Sequence, residues 1–563
     1  MKARRSAQAR GWQLALLTTV AFAATAGTLY LPGYVTLQLL QLGHLPVRWN
    51  TYLQYLDAMS TPAAQPHLLQ IQLGGVIGIT CTLGVTATAV ALIVKAREQP
   101  LYGSARFASV AEVRASGLFS TSADGIVLGR MRDQLLRLSG QQFVILAAPT
   151  RSGKGVGIVV PNLLDYQHSV VVLDIKQENF DLTSGWRQQQ GQAVYLFNPF
   201  AENRRGHRWN PMSYVSADHA LRITDLQGIA AMLYPEVGGD NGFWVGLARN
   251  AFVGLALYVL EDHADAARSG ETLPAPSIGG IYRLASSGKG SMKDYIDVLA
   301  SQPFLSLEAS NALSSLAANE EKTFSSIFST LMEPLNAWIS PILDAATSAD
   351  DFNFADLRRR PTTIYIGIQP NKLSQAKLII NLFFSQLINE NTRELPQQNP
   401  ELRYQCLLLM DEFTAMGKVG IVSDAVSYMA GYNLRLLPII QSLSQLHAVY
   451  GKEVARTIVT NHAMQIVYAP REQQDANEYS EMLGYRTVRK NSRSKGRETS
   501  ISESDEKRPL MLPQELKDLG FDREILFYER LSGPVLCDKI RYYEDPYFMP
   551  RLLPPADVPL LPV

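Results

Sequence analysis

The chain has 563 residues, of which 46% are hydrophobic and 18% are charged, and its formal net charge is zero. This length allows more than one domain and a large core, and the neutral balance gives no support for broad, non-specific binding to nucleic acids. The three cysteines, Cys81, Cys406 and Cys537, are widely separated. They fit neither a disulfide framework nor a metal-binding knuckle, so the bulk of the chain suits a reducing compartment.

Two uncharged stretches near the N-terminus are long enough to cross a membrane. The first, interrupted by Pro32-Gly33, predicts a transmembrane helix over about residues 12–31, and the second predicts one over residues 73–94, since about 20 apolar residues span the hydrocarbon layer. Two alternatives remain: a cleaved signal peptide for the first stretch, and a buried helix of a soluble domain for the second.

Basic residues flank the outer ends of both predicted spans, and lysine and arginine mark the cytoplasmic side of a membrane protein. They are Lys2, Arg4, Arg5 and Arg10 before the first span, and Lys95 and Arg97 after the second. We therefore expect a membrane anchor over residues 1–98, with both ends in the cytoplasm and a short external loop, followed by a large cytoplasmic part.

The stretch QQFVILAAPTRSGKGVG, residues 141–157, predicts a strand, a glycine-rich turn and the start of a helix. It resembles the phosphate-binding loop G-x-x-x-x-G-K-[ST], but Ala148 stands at the first position and Gly155 at the last. Loop N–H groups at a helix N-terminus point at a bound anion, and Lys154 is placed to reach the β- and γ-phosphates. The predicted nucleotide contacts are Pro149, Thr150, Arg151, Ser152, Gly153, Lys154, Gly155 and Val156.

Gly155 lacks the hydroxyl that would bind magnesium in such a loop. The metal must then be held by phosphate oxygens, waters and an acidic residue elsewhere. The alternative for the whole stretch is a glycine-rich turn without a ligand.

The stretch CLLLMDEF, residues 406–413, is an apolar run that ends in two acids. This Walker B pattern predicts a buried strand that presents carboxylates at its carboxyl end. Asp411 would bind magnesium through water, and Glu412 would orient and polarise the attacking water. The alternative is a strand followed by an ordinary turn with solvated acids.

A further strand, LLPIIQS at residues 436–442, ends in Gln441, which we expect to sense the γ-phosphate and position water. Arg435 is a candidate arginine finger that acts across a subunit boundary. The alternatives are a polar residue of no special role at a strand end for Gln441, and a plain surface arginine for Arg435. Other predicted strands lie at 143–147, 169–176, 193–198, 362–368 and 464–469. Their apolar runs favour parallel strands covered on both faces, and the motif order favours a RecA-like α/β core.

Residues 217–350 interrupt this α/β pattern with helical periodicity and Gly and Pro breaks. The interruption predicts an all-α domain, inserted between two parts of the nucleotide-binding domain at residues 99–216 and 351–563. Because the insertion carries no metal or nucleophile cluster, it is a candidate for substrate selection, with a structural lid as the alternative.

The motifs occur in a fixed order behind the two predicted spans: LYGSARFAS, APTRSGKGVGIVVPNLL, VVLDIKQEN, FNPF, RWNP, LLLMDEF, GYNLRLLPIIQSLSQLHAVYG and PREQQDANEYSEMLGYRTV. This order resembles the coupling proteins of type IV secretion systems, the Vir/TraG-type conjugation ATPases. In that family a loop ending in GKG is common, so the resemblance implies that Gly155 is a family variant and the site is intact.

The resemblance implies a hexameric, multi-pass ATPase of the bacterial inner membrane that uses ATP and Mg²⁺ and delivers substrates to a secretion channel. Lys154, Asp411, Glu412 and Gln441 match family motif positions, whereas Arg435 matches the family's trans-acting arginine less securely. Gln177 stands where many relatives have the glycine of a D-x-K-G-E motif.

Two cargoes are compatible with the resemblance: effector proteins, which the neutral charge slightly favours, and single-stranded DNA bound to a relaxase. The alternatives of another kind are a nucleotide-binding docking scaffold that hydrolyses little, and a different membrane-anchored DNA pump. The polar stretch at residues 489–509 predicts a solvated loop, with a DNA or partner contact as the alternative.

Overall fold

The computed structural model describes residues 2–95, 101–236, 241–288, 290–495 and 499–563. These residues fall into two units, Met1–Gly103 with Arg489–Glu506, and Ser104–Val488 with Lys507–Val563. The predicted boundary after residue 98, and Arg97 of the predicted basic flank, lie outside the described residues.

The N-terminal segment forms three helices, α1 (Lys2–Leu39), α2 (Thr51–Ala58) and α3 (Leu68–Lys95). Helices α1 and α3 pack against each other. Within them, Leu16–Leu39 and Gln65–Leu92 are long and apolar enough to cross a membrane. The second predicted span, 73–94, lies inside α3.

The predicted break at Pro32-Gly33 is wrong, because α1 continues through both residues. Proline removes one backbone hydrogen bond, and transmembrane helices tolerate this loss where a neighbouring helix packs closely. Gly78 of α3 supplies that packing, since a Cβ there would lie 2.6 Å from the Pro32 backbone. The hydroxyl of Thr36 also donates to the carbonyl of Pro32 (2.7 Å).

Most of the chain is organised around a large β-sheet. The strands within the described residues are β1 (Ile126–Met131), β2 (Gln134–Leu138), β3 (Val144–Ala147), β4 (Ser169–Asp174), β5 (Ala193–Phe197), β6 (Thr362–Gly367), β7 (Cys406–Met410), β8 (Leu434–Ile440), β9 (Met464–Val467), β10 (Tyr485–Lys495), β11 (Thr499–Pro509), β12 (Arg523–Tyr528) and β13 (Val535–Asp538). All but two of them form one sheet in the order β2-β1-β13-β12-β9-β3-β8-β7-β4-β6-β5, and β10 pairs with β11.

The sheet has a parallel part and an antiparallel end. From β9 to β5 all neighbours run parallel, whereas β12, β13, β1 and β2 are joined by antiparallel pairing. The seven parallel strands are those predicted from apolar runs, so the predicted α/β class is confirmed. The strands β1, β2 and β12 were not predicted.

Helices cover both faces of the sheet because consecutive strand residues point to opposite sides. Val171 and Leu173 belong to one core with α14 (Leu373–Asn391) and the helical insertion, and Val170 and Val172 belong to another, on the opposite face. The remaining helices of the described residues are α4 (Val110–Ala115), α5 (Val160–Asp165), α6 (Glu178–Gln189), α7 (His219–Leu233), α8 (Asn241–Arg268), α9 (Ile278–Ser286), α10 (Met292–Ala300), α11 (Leu307–Ala317), α12 (Glu321–Leu335), α13 (Pro341–Ala346), α15 (Gly420–Ala425), α16 (Leu443–Tyr450), α17 (Lys452–Thr460), α18 (Gln473–Met482) and α19 (Pro513–Lys517).

The insertion between β5 and β6 contains α7–α13. Several of these helices begin at a serine or aspartate whose side chain accepts a hydrogen bond from a backbone N–H two or three residues later, at Asp218, Ser277, Ser291, Ser306 and Ser340. Such caps explain why a serine-rich stretch is cut into short helices. Residues Gly242–Arg268 of α8 are also apolar enough for a membrane span, but they pack against α7, α9, α11 and α12. The limits 217–350 of an all-α domain stay a prediction.

The predicted solvated loop at 489–509 is wrong over its described residues, which belong to β10 and β11. Two basic residues of its first half form ion pairs with two acidic residues of its second half across the strands. Arg489 lies 3.9 Å from Asp505, and Lys490 lies 3.8 Å from Glu506. Opposite charges across neighbouring strands stabilise such a pair.

Candidate functional site

The glycine-rich loop leaves the carboxyl end of β3, between β8 and β9. Gly153 has φ +87°, a conformation that favours glycine. A helical turn over Gly155–Val159 follows and leads directly into α5. The predicted sequence of strand, glycine turn and helix is confirmed, and it places the loop at the N-terminus of a helix, where the first backbone N–H groups have no partner within the helix.

The two acids after β7 lie beside the lysine of this loop. The ammonium Nζ of Lys154 is 3.1 Å from Oδ1 of Asp411 and also forms an ion pair with Oε1 of Glu412. Lys154 and Asp411 are far apart in the chain, but they meet because β3, β8 and β7 are neighbours whose carboxyl ends lie at one edge of the sheet. The carboxylate of Asp411 is therefore close enough to Lys154 for one hydrated magnesium ion to contact both Asp411 and a phosphate bound at Lys154.

Gln441 connects the loop to Glu412. Its amide Nε2 donates to Oε2 of Glu412 (2.9 Å), and its Oε1 accepts from the hydroxyl of Thr150 (3.1 Å). Glu412 adopts a left-handed backbone conformation with φ 55°, which is uncommon outside glycine and is often found at functional sites. The structure therefore brings together five of the residues predicted from sequence: Thr150, Lys154, Asp411, Glu412 and Gln441.

The two carboxyl groups have opposite pKa shifts. Burial raises the pKa of Asp411 above its usual value, and the nearby ammonium of Lys154 opposes this effect only in part. Burial would also raise the pKa of Glu412, but hydrogen bonds from Lys154 and Gln441 and the charge of Lys154 outweigh it, so that the pKa lies below its usual value. Glu412 is therefore ionised at neutral pH.

Asp174, at the end of β4, has a structural role in this arrangement. Its carboxylate accepts from the backbone N–H of Phe180 (2.8 Å) and from the amide of Asn179 (3.2 Å), at the start of α6. Burial raises the pKa of Asp174 to about 7. Gln177, in the turn that follows, has φ 60°, so the turn keeps the left-handed backbone that a glycine would adopt.

The placement of Arg435 contradicts its predicted role as an arginine finger. Arg435 is fully buried at the start of β8, and its guanidinium donates to the carbonyls of Asp124, Leu138 and Gln142. Gln441 follows six positions later along the extended chain, a distance of about 20 Å. The side chain instead satisfies buried carbonyls around the antiparallel end of the sheet.

A second lysine contacts the loop, and no sequence pattern indicated it. Nζ of Lys539, which follows β13, donates to the carbonyl oxygen of Ser152 (3.3 Å). The same ammonium lies 3.6 Å from the centroid of the Tyr468 ring. Because 387 residues separate Lys539 from Ser152, only the pairing of β13, β12 and β9 brings them together.

The donor set fits magnesium held jointly with phosphate. Among the described residues, no group of three or more histidine, cysteine, aspartate or glutamate side chains is arranged to hold a metal ion. Magnesium keeps several waters and usually binds through one or two carboxylates together with substrate phosphates. Asp411, with Lys154 beside it, offers a ligand of this kind.

A family model described as "Type IV secretory system Conjugative DNA transfer" matches residues 107–559. Among curated proteins, Protein VirD4 of Rhizobium rhizogenes is 32% identical over 468 residues, which cover 81% of this chain and 67% of that protein.

Among solved structures, two of the plasmid coupling protein TrwB share the fold. The complex with the non-hydrolysable ATP analogue ADPNP has a TM-score of 0.55 at 15% identity, with 79% of this chain and 97% of that chain covered. The complex with ADP and Mg²⁺ has a TM-score of 0.53 at 16% identity, with 79% and 97% covered. The predicted fold class is confirmed by this likeness.

Proposed function

The chain belongs to the Type IV secretory system Conjugative DNA transfer family, and on this premise we propose that it is a membrane-anchored ATPase that couples a DNA-transfer substrate to a secretion channel. The observation that carries the proposal is the meeting of Lys154, Asp411 and Glu412 at one edge of the sheet. A glycine turn alone would not explain why two acids from a distant strand converge on its lysine.

ATP is the proposed substrate of the site. The backbone N–H groups of residues 153–156 and the ammonium of Lys154 neutralise the charge of the phosphates. The TrwB complexes with an ATP analogue and with ADP and Mg²⁺ support this choice of ligand. When bound, Mg²⁺ neutralises the charge that develops on the phosphate oxygens, and Asp411 would hold it through water.

Glu412 is the proposed orienting group for the attacking water. Its carboxylate is ionised, because the hydrogen bonds from Lys154 and Gln441 hold its pKa below the usual value. An ionised carboxylate accepts a hydrogen bond from water and turns an oxygen lone pair towards the phosphorus atom. Gln441 holds the other carboxylate oxygen at 2.9 Å, which fixes the direction in which Glu412 points.

The N-terminal helices α1 and α3 are the proposed membrane anchor in the inner membrane, crossing it twice, with the N-terminus and the large unit in the cytoplasm. Their length and apolar character support this placement. The family description names DNA transfer, so the proposed cargo is DNA with its bound relaxase, although the neutral net charge slightly favoured effector proteins. A homo-hexamer is the proposed assembly.

The proposal is tested by ATP hydrolysis of the detergent-solubilised full chain, measured as phosphate release with and without single-stranded DNA. We expect magnesium-dependent hydrolysis in the wild type and none above background in Glu412→Gln, which keeps the size and the hydrogen bond to Gln441 but not the charge. Equal, negligible rates in both proteins, together with intact nucleotide binding, would favour a docking scaffold.

The cargo is tested separately in mating assays. Donor cells that carry Glu412→Gln should transfer a plasmid at background frequency, and the wild type should restore transfer. Restored secretion of proteins without restored transfer of DNA would assign effector proteins as the cargo.

A further inference from the structure

The peptide bond between Ser152 and Gly153 is the part of the loop that Lys539 contacts. No cis peptide occurs among the described residues, so the carbonyl of Ser152 and the N–H of Gly153 point in opposite directions. The carbonyl accepts from Nζ of Lys539 at 3.3 Å. The N–H of Gly153 therefore points away from Lys539.

Lys539 is held in place by several elements. Its ammonium lies over the face of the Tyr468 ring at 3.6 Å, an attractive cation–π arrangement. Its own backbone N–H donates to the carbonyl of Asp522 (2.7 Å). Glu524, whose side chain is fully buried, lies on β12, the strand that pairs with β13 just before Lys539. A lysine fixed in this way loses little conformational freedom when it donates to the loop.

The helix after the loop packs closely on the same structure. A Cβ at Gly157 would lie 2.5 Å from the hydroxyl oxygen of Tyr468 and 3.5 Å from the carbonyl oxygen of Ile540. Glycine is thus required for the start of the helix to approach Tyr468. We call Lys539, Tyr468 and Glu524 the back support of the loop, and Lys154, Asp411, Glu412 and Gln441 its front.

We propose that Lys539 is a positioning residue that holds the Ser152–Gly153 peptide with its carbonyl to the back and its N–H towards the bound phosphates. This inference rests on the proposed ATPase function and assigns a second cation to the same loop. Lys154 acts on the phosphates directly, whereas Lys539 acts through the backbone.

The conformation of Gly153 explains why such a support is needed. Glycine adopts positive and negative φ about equally well, so this peptide rotates more easily than one between two larger residues. If it turned over, the carbonyl dipole of Ser152 would face the phosphates and repel them. A charged donor on the carbonyl disfavours that rotation, because hydrogen bonds to charged groups are stronger than neutral ones.

The test compares Lys539→Met and Lys539→Arg with the wild type, as detergent-solubilised full chains. Methionine keeps an apolar stem of similar length, and arginine keeps the charged donor. We expect the Kd of a fluorescent ATP analogue with Mg²⁺ to rise about tenfold in Lys539→Met, as for a lost hydrogen bond to a charged group. Lys539→Arg should recover most of that loss, and kcat at saturating ATP should change less than KM. Lys452→Met is the matched control, since Lys452 is exposed on α17.

A second readout does not depend on nucleotide. Hydrogen–deuterium exchange of the peptide that covers the loop should become faster in Lys539→Met than in Lys539→Arg, at unchanged thermal stability. Unchanged exchange and an unchanged Kd in Lys539→Met would overturn the inference and leave the proposed function standing. A wild type that binds no ATP analogue would overturn the proposed function, and the exchange result would then decide separately whether Lys539 holds the loop.

Discussion

The front and the back of the phosphate-binding loop both carry a lysine, but the two lysines have different surroundings. At the front, Lys154 faces two acids that are partly open to solvent. At the back, Lys539 contacts a backbone carbonyl and an aromatic ring, and the fully buried Glu524 lies on the neighbouring strand. Lys154 must leave its acidic partners to bind phosphate, so it needs access to the nucleotide. Lys539 only holds the backbone of the loop, so it needs neighbours that stay in place.

This difference predicts different consequences for substitutions on the two sides. Changes at the front should affect charge compensation, the metal and the chemical step. Changes at the back should affect the shape of the loop, and with it the affinity for nucleotide, while the chemical step at saturation changes less.

The largest effect is expected for Lys154→Ala at the front. The substitution removes the ammonium that neutralises phosphate charge and leaves Asp411 and Glu412 without their cation, so like charges face the incoming nucleotide. We expect kcat/KM for ATP to fall by about 100-fold or more, as for other lost donors to developing charge. Steady-state phosphate release measures this. If Lys539→Met lowered kcat/KM as much as Lys154→Ala does, the front and the back of the loop would not differ in function.

A smaller effect is expected for Asp411→Asn. Asparagine keeps the shape but loses the charge that would hold the waters of magnesium, and such outer-shell changes cost about tenfold or more in metal affinity or activity. The magnesium concentration that gives half-maximal hydrolysis should rise, with little change in thermal stability. Titration of hydrolysis with Mg²⁺ measures it, and Asp174→Asn, on the neighbouring strand, is the control. A shift in the magnesium requirement of the control would assign Asp174 to the metal site as well.

A substitution that adds bulk at the back of the loop tests whether its shape depends on close packing. In Gly157→Ala the added Cβ would lie 2.5 Å from the hydroxyl oxygen of Tyr468, and overpacking of this kind costs about 1–3 kcal/mol. We expect a lower free energy of unfolding and a few-fold weaker binding of nucleotide.

The clash in Gly157→Ala has a matched rescue. Tyr468→Phe removes the clashing hydroxyl but keeps the ring under Lys539. The double variant should be more stable than the sum of the two single changes predicts, because residues in contact are coupled. Purely additive free energies, measured by chemical denaturation, would show that the helix does not depend on this contact.

The front of the site was predictable from sequence, and the back was not. Lys154, Asp411, Glu412 and Gln441 stand in short local patterns, each an apolar run followed by polar residues at a strand end. Parallel strands place such ends at a common edge, so local patterns are sufficient to bring these residues together.

The back depends on antiparallel strands that follow no comparable pattern. Glu524 lies in β12, a strand that the sequence did not predict, and Lys539 meets the loop through the pairing of β12 with β9 and β13. The burial of Arg435 was also not predictable, since an arginine next to an apolar run gives no sign that its guanidinium will be buried among carbonyls. Such contacts between distant parts of the chain can be predicted only when the order and register of all strands in the sheet are known.

The smallest expected effect is a dependence on pH at the back of the loop. Burial lowers the pKa of Lys539 to about 8 from 10.5, although Glu524 and Asp522 oppose the shift, and the ring of Tyr468 covers the ammonium. Between these values the unfolded chain binds more protons than the folded one, so the stability of the wild type rises with pH relative to Lys539→Arg, which stays charged. The nucleotide affinity of the wild type should fall as the pH rises, because Lys539 loses the charge with which it donates to Ser152. We expect the Kd ratio of wild type to Lys539→Arg to increase from pH 7 to pH 9 by a few-fold. A ratio that stays constant over this range would mean that the charge of Lys539 does not contribute to holding the loop.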